Sequence, residues 1–182
     1  MTDETIAFEI IDEAVITPAQ DAEIKALLLK AFAAEVETFS KSRHWHGSAP
    51  LYSVIARRGG QVIGNCGVVV RDIRCGKTPA RVAGIQNLGV RPDARGHNLG
   101  GLLLGRGMDE AKRRGIPFGL LFCVPELERF YNSNGWRTID VAVLMQYEGR
   151  TQPIPGKNIA MVIELAGRPF PTGDLDLCGA DW

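Results

Sequence analysis

The chain has 182 residues, 45% of them hydrophobic and 23% charged, and its 21 basic residues balance its 21 acidic residues. These values predict a single domain, residues 1–182, with a sizeable core, and they disfavour nucleic acid or an anionic membrane surface as a partner. The acidic start lacks a secretory pattern, no apolar run approaches the length of a membrane span, and the four cysteines are scattered without a CxxC pair. We therefore expect a cytoplasmic protein with reduced cysteines and no metal site.

The first half of the chain reads as one strand, one helix and three antiparallel strands. Phe8–Val15 is a strand, and Pro18 opens a helix whose apolar stripe includes Ile24, Leu27 and Leu28. Residues 37–50 are polar and irregular, which is compatible with a short helix or a loop. Glycine-containing turns then separate three predicted strands: Leu51–Arg57, Val62–Ile73 and Arg81–Val90.

The second half begins with a helix over Leu99–Arg114, with Leu102, Leu103, Met108 and Ala111 as its inward stripe. Pro117–Val124 is a continuous apolar run, typical of a buried central strand, and we expect it beside Arg81–Val90. A short helix starts at Pro125, strands follow at Ile139–Tyr147 and Asn158–Leu165, and the tail from Gly167 is irregular.

Residues 88–101 carry the most information about function, because an apolar strand passes through a basic turn directly into a helix start. Amides at a helix N-terminus have no acceptor within the helix, and they bind phosphate groups when small residues allow close approach. Gly96, Gly100 and Gly101 provide that access. The same glycines are also compatible with a plain strand-to-helix turn.

This stretch, Val90-x-Pro92-x-x-Arg95-Gly96 with its glycine-rich helix start, resembles the acyl-CoA loop of the GNAT N-acetyltransferase superfamily, with Asn98 where glycine is usual. Asparagine adopts left-handed backbone conformations more readily than most residues. The resemblance implies an α/β (α+β) fold with a central mixed, mostly antiparallel sheet flanked by helices, and acetyl-CoA or another acyl-CoA as co-substrate. The implied cofactor-binding residues are Leu88, Gly89, Val90, Arg95, Gly96, His97, Asn98, Leu99, Gly100 and Gly101.

A second motif, Phe130-Tyr131-x-x-x-Gly135-Trp136, follows in the order found in that superfamily. The resemblance implies that Tyr131 protonates the departing thiolate of coenzyme A. A phenol with a pKa of about 10 beside a thiol of about 8.5 is suited to this proton transfer. The alternative is that Phe130 and Tyr131 only pack a helix onto the sheet.

The base that would deprotonate an amine is not evident. Many relatives carry a strand carboxylate where this chain has Gln86, which we interpret as a group that positions water or substrate. His46 and Glu37, from the preceding irregular segment, are alternatives as acceptor-site residues, although each is also compatible with an exposed polar role. Cys123 lies in an apolar strand without a paired histidine, which predicts a buried, unreactive thiol.

Segments between residues 43 and 127 are similar to the nodulation-type N-acyltransferases, which acylate an amino sugar with long acyl groups from a carrier protein. The C-terminal residues Asp181 and Trp182 resemble the tail of aminoglycoside 2-prime acetyltransferases, which implies that the Asp181 side chain and the carboxylate of Trp182 attract a cationic acceptor. A solvent-exposed tail is the other interpretation.

We therefore expect an N-acetyltransferase, or short-chain N-acyltransferase, that acts on the primary amine of a small molecule by direct attack in a ternary complex. An amino sugar is one acceptor class to test, and a homodimer is compatible with the resemblance. The alternatives are a non-catalytic acyl-CoA-binding module and a long-chain enzyme supplied by a carrier protein.

Overall fold

The structure is a computed structural model that describes residues 5–45, 47–154, 156 and 158–182. The helices in this part of the chain are α1 (Pro18–Ala31), α2 (Val36–Lys41), α3 (Leu99–Arg113) and α4 (Glu128–Asn132). The strands are β1 (Ala7–Asp12), β2 (Tyr52–Arg58), β3 (Gln61–Cys75), β4 (Thr78–Val90), β5 (Phe118–Cys123), β6 (Arg137–Ile139), β7 (Val143–Tyr147), β8 (Arg150–Pro153), β9 (Ile159–Glu164) and β10 (Leu175–Asp176).

All of these strands belong to one sheet. Its main path runs β6-β9-β5-β4-β3-β10-β7-β8, and β2, flanked by β1, also pairs with β3. The pairs β4–β5 and β10–β7 are parallel, and the other pairs are antiparallel. The predicted mixed, mostly antiparallel sheet flanked by helices is thus confirmed. Helix α3 supplies the crossover that a parallel β4–β5 pair requires.

Apolar residues on the two faces of the sheet form separate cores. Helix α3 and Tyr131 of α4 pack on one face against Ile85 and Leu121. On the other face, Leu120 packs with Trp182 from the chain end, and α1 and α2 cover β2 nearby. Because side chains alternate along a strand, β4 and β5 contribute to both cores.

Strands β4 and β5 separate part-way along their length. Within the described residues their pairing covers only Val82–Gly84 against Phe118–Leu120. β4 then bulges against β3, where Gly67 faces Gln86 but Asn65 faces Gly89, and Asn87 adopts a positive φ of 54°. A bulge bends its strand and turns it away from a neighbour. An open cleft between β4 and β5 is the result.

Several predicted boundaries and contacts are wrong. The first strand ends at Asp12 because residues 13–15 form a short 3-10 turn, and the predicted strand Ile139–Tyr147 is divided into β6 and β7. Residues 149–157, expected to be a connection, contain β8. Leu102 points outward with 46% of its surface exposed, whereas Leu99 and Leu104 complete the buried stripe of α3.

The C-terminal tail is buried, so its interpretation as a solvent-exposed tail is wrong. Asp181 is 8% and Trp182 6% exposed, and β10 joins the tail to the sheet. The tail is buried because hydrogen bonds attach it to residues more than a hundred positions earlier in the chain. Contacts between such distant residues leave no local sequence pattern from which burial could be predicted. No helix in the described part of the chain is both long and apolar enough to cross a membrane.

Candidate active site

Two adjoining cavities lie where β4 leaves β5. The loop cavity, of about 560 Å³, is lined by the end of α1, residues 88–90 of β4, the turn before α3, the first residues of α3 and residues near α4. The cleft cavity, of about 300 Å³, lies between β4 and β5. Phe32, Leu88, Leu127 and Tyr131 line both cavities, so the two spaces meet at these side chains.

Most of the residues expected to bind the cofactor come together in the loop cavity. Its lining includes Leu88, Gly89, Val90, Arg95, Gly96, Asn98, Leu99 and Gly100. His97 is exposed and Gly101 is buried, and neither belongs to that lining. The side chain of His97 is therefore not placed to contact a molecule in this cavity.

The residues of the turn have different physical tasks. Gly96 has a φ of 89° and Asn98 a φ of 54°, so the left-handed conformation expected of Asn98 is present at the start of α3. An added Cβ on Gly101 would lie 2.8 Å from Asn134 Oδ1, whereas one on Gly100 would lie 3.4 Å from Phe130 Cζ, at the cavity surface. Gly101 thus serves close packing, and Gly100 leaves space at the first helical turn, where amides lack helical acceptors.

Arg95 holds the turn in place through its side chain. Its guanidinium donates hydrogen bonds of 3.1 Å to the carbonyl oxygens of Val90 and Ala31. These bonds join the end of β4, the turn and the end of α1.

Tyr131 lies at the junction of the two cavities. Its ring is 7% exposed and packs against Phe130 and Trp136, with ring centroids at 5.0 and 6.3 Å. Burial raises the pKa of Tyr131 above its usual value, with the nearby Cys123 and Cys66 contributing in the same direction. The phenol is therefore protonated at neutral pH and has a proton to donate.

Gln86 forms hydrogen bonds to the segment that covers the cleft cavity. Its Oε1 accepts from the Trp45 amide at 3.2 Å, and its Nε2 donates to the Ser48 carbonyl oxygen at 2.6 Å. These partners determine the orientation of the amide, because one offers only a donor and the other only an acceptor. Asn87 adds a 2.5 Å hydrogen bond from Nδ2 to the carbonyl oxygen of Arg43.

The two alternatives for a base or acceptor-site residue do not gain support. The Glu37 side chain is 87% exposed, pairs with Lys41 at 2.8 Å and lines neither cavity, because α2 directs it to solvent. Glu37 is therefore not placed to contact a molecule in either cavity, and its exposure agrees with the alternative of an exposed polar residue. His46 lies outside the described residues.

The chain end forms one side of the cleft cavity, to which Asp181 and Trp182 both contribute. Ser48 Oγ donates to the carbonyl oxygen of Asp181 at 2.7 Å. The Arg71 guanidinium donates to the carbonyl oxygen of Ala180 and, at 3.1 Å, to Ser48 Oγ. Sequence reasoning missed Ser48, Asn87 and Arg71, and the signal for Arg71 was a cation inside a largely apolar strand.

Cys123 lines the cleft cavity but is only 6% exposed, and its Sγ lies 3.8 Å from Met161 Sδ. Burial raises the pKa of this thiol to about 11. A thiol in this state is a poor nucleophile at neutral pH. Among the described residues, no group of three or more His, Cys, Asp and Glu side chains is placed to hold a metal ion.

The family model described as nodulation protein A (NodA) matches residues 4–152. The chain belongs to the NodA family. The match includes the residues around the loop cavity and Tyr131, and it ends before the tail that contains Asp181 and Trp182. A search among curated proteins found no match.

Solved structures with the same fold include several acetyltransferases. Escherichia coli ElaA has a TM-score of 0.63 and 15% identity, covering 88% of this chain and 100% of that chain. The E. coli GNAT family N-acetyltransferase YhbS, solved in complex with CoA, has a TM-score of 0.62 and 20% identity, covering 98% and 93%. An acyl-CoA N-acyltransferase from Pseudomonas aeruginosa has a TM-score of 0.60 and 18% identity, covering 87% and 99%.

At these identities the likeness establishes the fold, which is that of the GNAT superfamily. NodA-family membership and this fold together support the predicted class of enzyme, an acyl-CoA-dependent N-acyltransferase.

Proposed function

We propose that this NodA-family protein transfers an acetyl or other short acyl group from acyl-CoA to the primary amine of a small molecule. The observation that carries the proposal is the meeting of the two cavities at Tyr131. One cavity has the features of a pyrophosphate site, the other has room for a second substrate, and a buried proton donor lies between them.

The donor would occupy the loop cavity. Amides of the turn and of the first residues of α3, from Arg95 to Gly101, would hold the pyrophosphate. The β4 edge at Leu88–Val90 would bind the pantetheine arm in the manner of an added strand. The thioester would then reach the Leu88–Tyr131 junction. Coenzyme A supplies a thiol leaving group at that point.

The acceptor would occupy the cleft cavity. Asp181 attracts a cationic amine, and the aromatic surfaces of Trp45 and Phe122 suit its carbon framework or its charge. Once the ammonium has lost its first proton to solvent, the neutral amine attacks the thioester carbonyl carbon. The carbon–sulfur bond breaks, Tyr131 protonates the thiolate, and the second proton from nitrogen restores Tyr131 through water.

Gln86 would take no part in proton transfer, because an amide is not a base at neutral pH. Its hydrogen bonds to Trp45 and Ser48 assign it instead to holding the cover of the cleft cavity in place. Catalysis would rest on bringing the amine and the thioester together and on excluding bulk water. One domain over residues 1–182, a cytoplasmic location and the absence of a nucleic-acid partner remain part of this proposal.

The first experiment is a calorimetric titration with CoA and acetyl-CoA, followed by a thiol-release assay against a panel of amines and amino sugars. Binding together with amine-dependent CoA release supports the proposal. Failure to bind CoA would remove the loop cavity as a cofactor site.

A second function is favoured by one observation. The position expected to carry a base is an amide whose oxygen and nitrogen both bond to backbone groups, as suits a protein that binds acyl-CoA without turnover. Tight CoA binding with no amine-dependent release across the panel would support this alternative.

A further inference from the structure

The indole of Trp182 occupies the space above Gly84. A Cβ added to Gly84 would lie 2.5 Å from the indole Nε1 and 2.7 Å from Cζ2, so a larger residue at this position is incompatible with the packing. Phe122 packs beside the indole at 5.5 Å between ring centroids. The Arg71 guanidinium lies 5.3 Å from the indole centroid. Trp182 is therefore enclosed by three elements of the sheet face.

Gly84 is also the last residue at which β4 pairs with β5. Trp182 thus lies at the closed end of the cleft, on the face opposite α3 and Tyr131. The order along β4 is Val90 and Leu88 at the loop cavity, then Gln86 in the cleft, then Gly84 under the indole. At about 3.3 Å per residue, only roughly 13 Å of strand separates Leu88 from Gly84.

A thioester at the Leu88–Tyr131 junction directs its acyl chain into this cleft. A chain longer than a few carbons has to continue between β4 and β5 and leave on the face where Trp182 and Phe122 pack together. We propose that Trp182 sets the upper length of the acyl chain that the enzyme accepts. This inference rests on the proposed function, because it assigns specificity within the same site.

The way in which the chain end is held supports this role. Arg71 of β3 and Ser48, from the segment before β2, bond to the carbonyl oxygens of Ala180 and Asp181, so the backbone before Trp182 is held at two points. A buried side chain held in this way resists displacement by a flexible alkyl chain. The matched family region ends at residue 152, so the residue that closes the cleft lies outside it.

The test measures binding of CoA and of acetyl-, butyryl-, hexanoyl- and octanoyl-CoA by calorimetry, without an acceptor. For the unaltered protein we expect affinity to fall as the chain lengthens beyond butyryl. For Trp182→Ala we expect affinity to rise with length, by about fourfold for each methylene that becomes buried. Trp182→Phe retains a smaller aromatic ring, so its dependence of affinity on acyl-chain length should lie between those of the unaltered protein and of Trp182→Ala.

Gly84→Ala provides a second route to the same effect, because its methyl group displaces the indole without deleting it. It should also shift the preference toward longer chains, and it keeps the inference testable if Trp182→Ala fails to fold. The Phe170→Ala variant is the matched control, since Phe170 belongs to the same buried core as Trp182 but lines neither cavity. Its order of acyl-CoA affinities should equal that of the unaltered protein.

The outcomes separate the two proposals. If CoA itself does not bind, the proposed function fails. If CoA binds but the unaltered protein prefers octanoyl-CoA, or if the Trp182 and Gly84 variants leave the order unchanged, the length limit lies elsewhere and this inference is overturned.

Discussion

The side-chain amide of Gln86 donates a hydrogen bond of 2.6 Å to the carbonyl oxygen of Ser48, and Ser48 in turn holds the chain end through its hydroxyl group. A residue of β4 therefore connects two sides of the cleft cavity that are distant in sequence. Acceptor binding should depend on this connection, although Gln86 itself does no proton chemistry.

We predict that Gln86→Glu destabilises the protein by about 1–3 kcal/mol at pH 7, because an ionised carboxylate cannot donate to Ser48. Burial and the facing carbonyl oxygen raise the folded-state pKa of the new carboxyl group. The protonated acid can still donate, so the deficit should be small below about pH 4 and grow as the pH rises. Chemical unfolding at several pH values measures this.

The matched control for that change is Gln61→Glu. Gln61 is exposed and its Oε1 accepts from Arg91 at 2.9 Å, a bond that a carboxylate retains. Its unfolding free energy should stay within about 0.5 kcal/mol of the unaltered protein. If the Gln86→Glu variant turns over faster and its stability is unchanged, the side chain at position 86 contacts the amine directly and does not act through Ser48.

Tyr131→Phe should lower kcat by roughly 10²-fold or more while changing CoA affinity little, because the variant keeps the ring and loses only the proton donor. Since burial raises the pKa of Tyr131, its ionisation should not limit kcat between pH 6 and 9. Steady-state kinetics with calorimetry separates the two effects.

Tyr52→Phe is the control for a buried tyrosine. The Tyr52 hydroxyl donates to the carbonyl oxygen of Gly107 at 2.7 Å, and the residue lines neither cavity. Its loss should cost about 1 kcal/mol of stability and leave kcat unchanged. Equal kcat losses in the two variants would assign Tyr131 to packing.

The features that could be predicted from the sequence are the ones encoded locally. Gly96, Asn98 and Gly100 occupy adjacent turns of one segment, so their backbone requirements and the helix start can be recognised without knowing the rest of the fold. The buried strand β5 could be recognised in the same way, from a continuous apolar run.

The cleft could not be predicted, because its sides come from distant parts of the chain. Arg71 and Ala180 are separated by 109 residues, and Ser48 and Asp181 by 133. The tail is held through its backbone carbonyl oxygens, which every residue has, so the sequence does not indicate these contacts. Gly84 likewise has the same local sequence features as any other glycine in a strand. Only packing reveals that Gly84 makes room for Trp182.

Gly100→Val should weaken CoA binding by at least tenfold, because the added side chain projects from α3 toward Phe130 and Val90 at the loop cavity. Replacing glycine within a helix does not by itself destabilise it. Gly105→Val on the same helix is the control, since nothing lies within 4 Å of its added Cβ. Retained CoA affinity in a folded Gly100→Val variant would contradict the assignment of this cavity.

Glu110 should contribute a pH-dependent part of the stability. Hydrogen bonds from Arg113 and Arg114, each with an N–O distance of 2.6 Å, hold the pKa of Glu110 at about 2. Because this folded-state pKa is below the unfolded value, the stabilisation is present above about pH 4.3 and is lost as the pH falls toward 2. Glu110→Gln should cost roughly 1–2 kcal/mol at pH 7 and flatten the acid limb of the stability curve.

The exposed pair of Glu37 with Lys41 provides the comparison for Glu110. Glu37→Gln should change stability by no more than about 0.5 kcal/mol, and the KM for the acceptor should stay the same. If the KM for the acceptor rises in this variant, Glu37 contacts the acceptor after all.

Asp181→Asn should raise the KM for a cationic amine by about tenfold or more while leaving the affinity for CoA unchanged. Asp181 belongs to the lining of the cleft cavity, and the substitution removes the negative charge of its side chain while keeping its size. Charge attraction in a partly enclosed cavity is screened less by salt than attraction at the surface. The KM of the unaltered protein should therefore increase only moderately with ionic strength.

Asp176→Asn is the matched control, because Asp176 lies in the same tail, pairs with Arg74 at 2.6 Å and lines neither cavity. Its acceptor KM should not change. Steady-state kinetics with one cationic amine and with a neutral analogue that competes for the acceptor site separates charge from shape. Equal weakening of both ligands in Asp181→Asn would mean that Asp181 supports the cavity structurally, and the recognition of the ammonium group would then have to come from the aromatic side chains.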